Sequence, residues 1–114
     1  MLSRSARLTQ RRDFQRVYRT GRSRPGALLW LKYGAGEGSA TRVGIVISTK
    51  VAAKATDRNR LKRQLREIIR QELAKKAATT AKKYDIVLSA TPRAKKADFE
   101  GLAQAVSQHF SHLF

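Results

Sequence analysis

Apolar residues recur at helical spacing in three stretches of the chain, and each stretch predicts a helix. The predicted helices span residues 9–19, 57–76 and 98–114. The positions that define their apolar faces are Phe14, Val17 and Tyr18; Leu61, Leu65, Ile68 and Ile69; and Phe99, Leu102, Val106, Phe110 and Leu113. Asp98 is expected to cap the last helix, because its carboxylate can accept from the free N–H groups of the first turn.

Apolar runs of strand length lie between these helices. They cover residues 27–33, 42–48 and 84–90, and the turn-rich stretch 20–26 accommodates a short edge strand. Because a Gly-rich loop, residues 34–39, joins the first two runs, they are predicted to pair as an antiparallel hairpin. The element order is then α-β-β-β-α-β-α. This order is typical of an α+β fold, a two-layer α/β sandwich with helices on a sheet.

The chain of 114 residues fits a single domain, 1–114, in which residues 1–8 are expected to form a loose basic arm. No apolar run approaches the roughly 20 residues that a membrane span needs, and the N-terminus lacks the apolar core of a secretory signal. The chain has no cysteine, which excludes disulfides and Cys-ligated metal sites. These features favour a cytoplasmic protein over one that carries a transit peptide.

Positive charge dominates the composition. The chain has 25 Lys and Arg against 8 Asp and Glu, a formal net charge of +17. Like charges at this density repel one another in a compact state, so a polyanionic partner would stabilise the protein. RNA, DNA and an anionic membrane surface are the candidates.

The predicted helix over residues 57–76 concentrates this charge. At about 100° per residue, its basic side chains lie opposite or beside the apolar face. These polar positions are Arg58, Asn59, Arg60, Lys62, Arg63, Arg66 and Arg70. Only Glu67 and Glu72 offset the charge beyond the first turn, whereas a merely soluble helix would mix signs more evenly. Since guanidinium groups match phosphate oxygens in shape and charge, this helix is predicted to bind a nucleic-acid backbone.

A second basic block combines arginines with aromatic rings. Its cations are Arg4, Arg7, Arg11, Arg12, Arg16, Arg19, Arg22 and Arg24, and the rings near them are Phe14, Tyr18, Trp30 and Tyr33. Rings that stack on bases beside cations that follow phosphates suit single-stranded RNA. Core packing is the alternative role for each ring alone.

The chain offers no evident catalytic constellation. His109 and His112 are its only histidines, and its acids are scattered rather than clustered as a two-metal nuclease requires. No Gly-rich phosphate loop is followed by Lys and Ser or Thr. The residues favour binding over catalysis by the protein, with no bound metal or cofactor.

Three segments in this order and spacing resemble the bacterial ribonuclease P protein family. They are RLTQRRDFQRVYRTG (7–21), RVGIVISTK (42–50) and RNRLKRQLRE (58–67). The Arg-Asn-Arg triplet that opens the long helix is the most specific of them. The resemblance covers nearly the whole chain.

This resemblance implies a subunit that assists a catalytic RNA in removing the 5′ leader of precursor tRNA. The Mg²⁺ ions and the catalytic groups are then expected in the RNA, and neither DNA nor a membrane is an expected partner. The residues implied to contact the catalytic RNA are Lys50, Arg58, Asn59, Arg60, Lys62, Arg63 and Arg66. Those implied to line a leader-binding cleft between the first helix and the sheet are Arg11, Arg12, Phe14, Tyr18, Trp30 and Lys32.

The resemblance also implies a particular topology. The fold would be ribosomal protein S5 domain 2-like, with a left-handed crossover from the strand at 42–48 to a parallel strand at 84–90, although such crossovers are ordinarily right-handed. A structural RNA-binding protein of the ribosomal type is the alternative. It would share the size and charge but would have no cleft for a leader.

Overall fold

The computed structural model describes residues 2–76 and 82–114. Its helices and strands are α1 (Arg11–Thr20), β1 (Arg22–Arg24), β2 (Leu29–Ala35), β3 (Arg42–Val46), α2 (Ala55–Lys76), β4 (Tyr84–Ala90) and α3 (Phe99–Leu113). Two short 3₁₀ turns, Arg4–Ala6 and Pro92–Lys96, precede α1 and α3. The predicted element order and the mixed α+β class are confirmed. No helix of the described residues combines the length and the hydropathy that crossing a membrane requires.

The four strands form one sheet in the order β1-β2-β4-β3, with β3 parallel to β4 and the other neighbours antiparallel. The predicted hairpin of residues 27–33 with 42–48 is therefore wrong, because β4 lies between β2 and β3. Residues Asp85 to Leu88 of β4 are all buried. A strand that is buried on both faces belongs in the middle of a sheet, and β4 is the most continuously buried of the four. The parallel pairing implied by the resemblance is confirmed, with α2 as the connection.

Helices α2 and α3 cover one face of the sheet and build the main core. The predicted apolar face of α2 is buried at all four positions, and that of α3 at four of five. Phe99 is the exception, since it is the first residue of α3 and is 42% exposed. The Asp98 cap is confirmed, because Gly101 N donates to Asp98 Oδ1 over 2.7 Å. Burial of each large aliphatic side chain stabilises this layer by about 1.5–3 kcal/mol.

Among the described helices, only α1 crosses the opposite face of the sheet. Val17 and Val87 form a small buried cluster there with Leu8, and Phe14 and Val46 pack against it. Because one ten-residue helix cannot cover four strands, part of this face stays open to solvent. The opening lies beside α1, where the cleft was predicted.

A buried ion network ties α1 to the sheet. Asp85, fully buried on β4, accepts from Arg42 Nε over 3.0 Å and from Arg42 Nη2 over 2.8 Å, and Arg16 of α1 donates to it as well. Both arginines also approach the buried Asp13 carboxylate, each over 3.4 Å. Burial opposes the ionisation of Asp85, but the hydrogen bonds from Arg42 and Arg16 outweigh it and lower the pKa of the carboxyl.

The N-terminal residues differ from the expected loose arm over 1–8, of which residue 1 lies outside the described residues. Leu2 and Leu8 are buried, and Leu8 N donates to Val43 O over 3.0 Å. Arg7 forms a bridge with Val43, and its Nε donates to Leu2 O over 3.0 Å. The segment packs in this way because β3 is an edge strand whose outer backbone groups need partners.

Candidate nucleic-acid interface

The open part of the sheet beside α1 forms a cleft with exposed rings. Trp30 of β2 is 44% exposed, and Tyr18 of α1 is 42% exposed. Lys32, two residues after Trp30 on the same face of β2, places its Nζ 5.4 Å from the centroid of the Tyr18 ring. Large rings with this much exposure, set beside a cation, are more typical of a binding surface than of a core.

Phe14 forms one wall of the same cleft. Its ring lies against the backbone of β3, where a Cβ built on Gly44 would stand 2.4 Å from Phe14 Cζ. Only glycine allows this approach. Gly44 is therefore a residue that shapes the cleft, and it could not be identified from the sequence because nothing in the local pattern distinguishes it from other strand glycines.

The two arginines that were predicted for this cleft lie on different sides of α1. At about 100° per residue, Arg11 falls beside Phe14 and Tyr18, so it lies at the rim of the cleft. Arg12 instead lies with Arg16 around a shallow concavity whose other residues are Asp13 and Glu37. The placement of Arg12 in the cleft is therefore not supported by its position in the structure.

The front half of α2 presents a cationic surface. Asn59, Arg60 and Arg63 are exposed on the side opposite the buried Leu61 and Leu65. Among the described residues, neither Arg60 nor Arg63 forms an ion pair with a carboxylate, so their charge is available to a ligand. Exposed guanidinium groups in a row on a rigid helix match successive phosphates of a nucleic-acid backbone.

Lys62 and Arg66 connect this surface with the cleft. Both are half-buried, and they line a pocket of about 210 Å³ that also contains Phe14 and Gly44. The two sets of residues that were predicted separately, on α1 and on α2, are thus neighbours across β3.

The remaining predicted residues at the start of α2 have mixed surroundings. Lys50 is exposed in the turn that precedes the helix. Arg58 Nη1 donates to Ala52 O over 2.9 Å and to Ala53 O over 2.8 Å, so this arginine fastens the preceding loop to the helix. The first arginine of the triplet therefore has a structural role in addition to any contact with RNA.

The cationic surface of α2 ends near Glu67. Arg70 Nη2 donates to Glu67 Oε1 over 2.6 Å, and this hydrogen bond lowers the pKa of Glu67 to about 2. The pair is neutral overall and exposed. The surface with uncompensated charge therefore spans the first three turns of the helix, from Asn59 to Arg66.

The two histidines do not form a catalytic pair. His109 is buried; its Nε2 donates to Leu29 O over 2.7 Å and its Nδ1 accepts from Arg24 Nη1 over 2.9 Å. Burial lowers the pKa of His109, so the ring is neutral and its role is structural. His112 is exposed on the last turn of α3. Within residues 2–76 and 82–114, no group of three His, Asp or Glu side chains is placed to hold a metal ion.

The fold and this surface define a class of small basic α+β proteins in which an aromatic cleft beside one helix adjoins the cationic face of another. The profile of the family described as Ribonuclease P matches residues 2–113. The chain belongs to this family.

Similar sequences and solved structures support this family assignment. The ribonuclease P protein component of Synechocystis sp. is 36% identical over 113 residues, which cover 96% of this chain and 86% of that protein. That of Pseudanabaena sp. is 40% identical over 103 residues, covering 90% and 85%. The structure of the RNase P protein from Thermotoga maritima superposes with a TM-score of 0.77 at 27% identity, covering 93% of this chain and 96% of that one.

Proposed function

We propose that this chain, acting as one domain in the cytoplasm, is the RNA-binding subunit of an RNA-based ribonuclease P that removes the 5′ leader of precursor tRNA. The observation that carries the proposal is the adjacency of two surfaces of different chemistry. The cleft offers exposed rings, the face of α2 offers unpaired cations, and Lys62 and Arg66 of α2 line a pocket with Phe14, the inner wall of the cleft. A protein that bound only a folded RNA would need the cations of α2 but not the exposed rings of the cleft.

The α2 surface binds the backbone of the catalytic RNA. Its contact residues are Lys50, Asn59, Arg60, Lys62, Arg63 and Arg66, together with the donors of Arg58 that do not hold the loop. Each phosphate that these cations neutralise releases counterions, so the affinity falls steeply with salt. A rigid helix suits this role because its side chains keep their spacing when the RNA binds.

The cleft binds the single-stranded leader. Bases stack on Trp30 and Tyr18 while Lys32 and Arg11 contact phosphates, and Phe14 forms the inner wall. Stacking of a base on an aromatic side chain contributes about 1–3 kcal/mol and tolerates any sequence. This property suits a partner whose leader sequence varies from one precursor to the next.

Catalysis belongs to the RNA in this proposal. The RNA subunit would hold the Mg²⁺ ions that assist cleavage of the phosphodiester bond, while the protein contributes by positioning the substrate. The side chains of the described residues fit this division of roles, since they provide cations and rings rather than clustered carboxylates. Neither DNA nor a membrane is a partner.

Reconstitution with a bacterial catalytic RNA at low Mg²⁺ tests the proposal. The protein should stimulate cleavage of precursor tRNA, and the stimulation should grow with leader length. Trp30→Ala should remove most of the leader dependence, whereas Phe99→Ala, which removes a ring of similar exposure at the start of α3, should not. Binding of RNA with no stimulation at any leader length would instead indicate a structural RNA-binding protein.

A further inference from the structure

A second basic groove lies at the other end of the sheet from the cleft. It has a volume of about 600 Å³ and is open to solvent along its length. The groove runs past the end of β2 at Ala35 and the start of β4 at Tyr84, whereas Trp30 of the cleft lies near the other end of β2. Trp30 and Ala35 are five residues apart, which corresponds to roughly 16 Å along a strand. Tyr33 of the groove also points to the opposite face of β2 from Trp30 and Lys32 of the cleft, so the two surfaces are separate.

The cations of this groove come from distant parts of the chain. Arg22 belongs to β1, Lys82 and Lys83 precede β4, and His112 lies on the last turn of α3. No Asp or Glu side chain is among the residues that line it in the described part of the chain. Three separate segments thus bring four basic side chains to one concave surface, and none of the described residues that line it is a carboxylate.

The charges of Arg22 and Lys83 are not used by the fold. Neither side chain forms an ion pair within the described residues, in contrast to Arg16 and Arg42, which share the buried Asp85. The rings of Tyr33 and Tyr84, whose centroids are 6.0 Å apart, form part of the groove wall and are fixed by packing. The wall is therefore rigid, while the charges of Arg22 and Lys83 remain available to a ligand.

We propose that this groove binds the phosphodiester backbone of a folded RNA, as a contact additional to α2 and the cleft. The inference rests on the proposed function only for the choice of RNA as the polyanion. The groove is too open to enclose a small anion, but a polymer lying along it places successive phosphates against Arg22 and Lys83. The backbone comes either from the catalytic RNA or from the body of the precursor tRNA.

Charge removal tests the contact in the assembled complex. The double variant Arg22→Gln/Lys83→Gln is compared with Arg93→Gln/Lys95→Gln, which removes two exposed cations from the turn after β4 and gives the same net charge. Loss of two phosphate contacts should reduce the salt exponent by about two, so that the drop in affinity from 50 to 200 mM salt shrinks about 10-fold. The control pair should leave most of this drop in place. Equal changes in both variants would overturn the proposal.

Site-directed cleavage identifies the RNA and does not depend on the stability of the charge variants. Because the chain has no cysteine, Thr20→Cys places a unique thiol at the groove for an iron chelate that generates hydroxyl radicals. The proposal predicts strand breaks confined to a few nucleotides, in the catalytic RNA or in the tRNA body. Breaks no stronger than those from Lys96→Cys would overturn it. In the same complex, loss of binding by Arg60→Ala would show that the α2 contact stands independently.

Discussion

The ring of Phe14 rests directly on the backbone of Gly44, with room for a hydrogen but not for a methyl group on the Gly44 Cα. This contact joins α1 to the edge strand β3 and sets the position of the inner wall of the cleft. The carbonyl of Leu8 lies on the same side, 3.2 Å from the place a Cβ would occupy. The ring therefore has to move if position 44 acquires a side chain.

Gly44→Ala should damage leader binding more than it damages the fold. The added methyl displaces the far end of one aromatic side chain, and overpacking of this kind costs about 1–3 kcal/mol. The affinity for precursor tRNA with a leader should fall, while the affinity for mature tRNA and for the catalytic RNA should change little. Titration of the assembled enzyme with leader-carrying and leaderless substrates measures both.

Gly38→Ala provides the matched control for this prediction. A Cβ on Gly38, in the loop between β2 and β3, would meet no atom closer than 4.0 Å. It should leave both affinities unchanged. Equal losses for the two substrates in Gly44→Ala would mean that the ring supports the core rather than the cleft.

Asp85→Asn should loosen α1 from the sheet. The substitution leaves Arg16 and Arg42 beside a buried group that no longer carries charge, and breaking a buried ion pair costs about 3 kcal/mol or more. Urea denaturation should show this loss. Glu67→Gln, which breaks the exposed pair with Arg70, should change the free energy of unfolding far less because solvent screens that pair. A small effect of Asp85→Asn would show that Asp13 alone suffices to hold the two arginines.

Local periodicity predicted the helices well. The apolar faces of α2 and α3 and the bounds of β4 depend on residues that are near one another in the sequence, so the sequence pattern contains them. The order of the strands in the sheet, by contrast, does not depend on residues that are near one another in the sequence. The Gly-rich loop favoured a hairpin, but the burial of β4 on both faces required it to lie between β2 and β3, which depends on the whole sheet.

The candidate site likewise has some features that the local sequence pattern predicts and others that it does not. Spacing on a helix was enough to predict that Arg60 and Arg63 are exposed together. The contact between Arg16 and Asp85 spans 69 positions and has no signal in the sequence, so Arg16 was grouped with the arginines predicted to follow phosphates. The position of Arg12 on the helix places it away from the cleft, but this can be seen only when the side of α1 that faces the sheet is known.

The stability of the protein should fall as the pH drops from 7.5 to 5.5. Burial lowers the pKa of His109 in the folded protein, whereas the unfolded chain has an ordinary value of about 6.5. Above that value the ring is neutral in both states and pH has no effect through it. Below pH 6.5, His109 is protonated in the unfolded chain while it is still neutral in the folded protein. Stability is therefore lost as the pH falls from 6.5 toward the pKa of His109 in the folded protein. Urea denaturation at several pH values measures the change.

His109→Gln separates this effect from the titration of acids. Glutamine can donate to Leu29 O but does not titrate, so the variant should be less stable at pH 7.5 and nearly independent of pH between 7.5 and 5.5. His112→Gln is the comparison. His112 is a smaller cause of the lowered pKa of His109 than burial is, so this variant should keep most of the wild-type pH dependence. If His109→Gln retained the full slope, another group would be responsible.

Arg60→Gln should weaken the binding of the catalytic RNA and reduce the salt exponent by about one. Arg60 is exposed on α2, and within the described residues no carboxylate neutralises it, so its charge acts on the RNA in full. Removal of one phosphate contact changes the slope of log affinity against log salt by roughly the contribution of one counterion. Filter binding over a range of salt concentrations measures this slope.

Glu67→Gln/Arg70→Gln shows whether the effect depends on net charge near the RNA or on helical position. The double variant removes one cation and one anion that already neutralise each other on the same helix, so the net charge of α2 is unchanged. The salt exponent should stay at its wild-type value, because neither group contributes a free charge. If the double variant instead lowered the exponent as much as Arg60→Gln, the phosphate-binding surface of α2 would extend past Arg66. The Glu67 pair would then have to open when RNA binds.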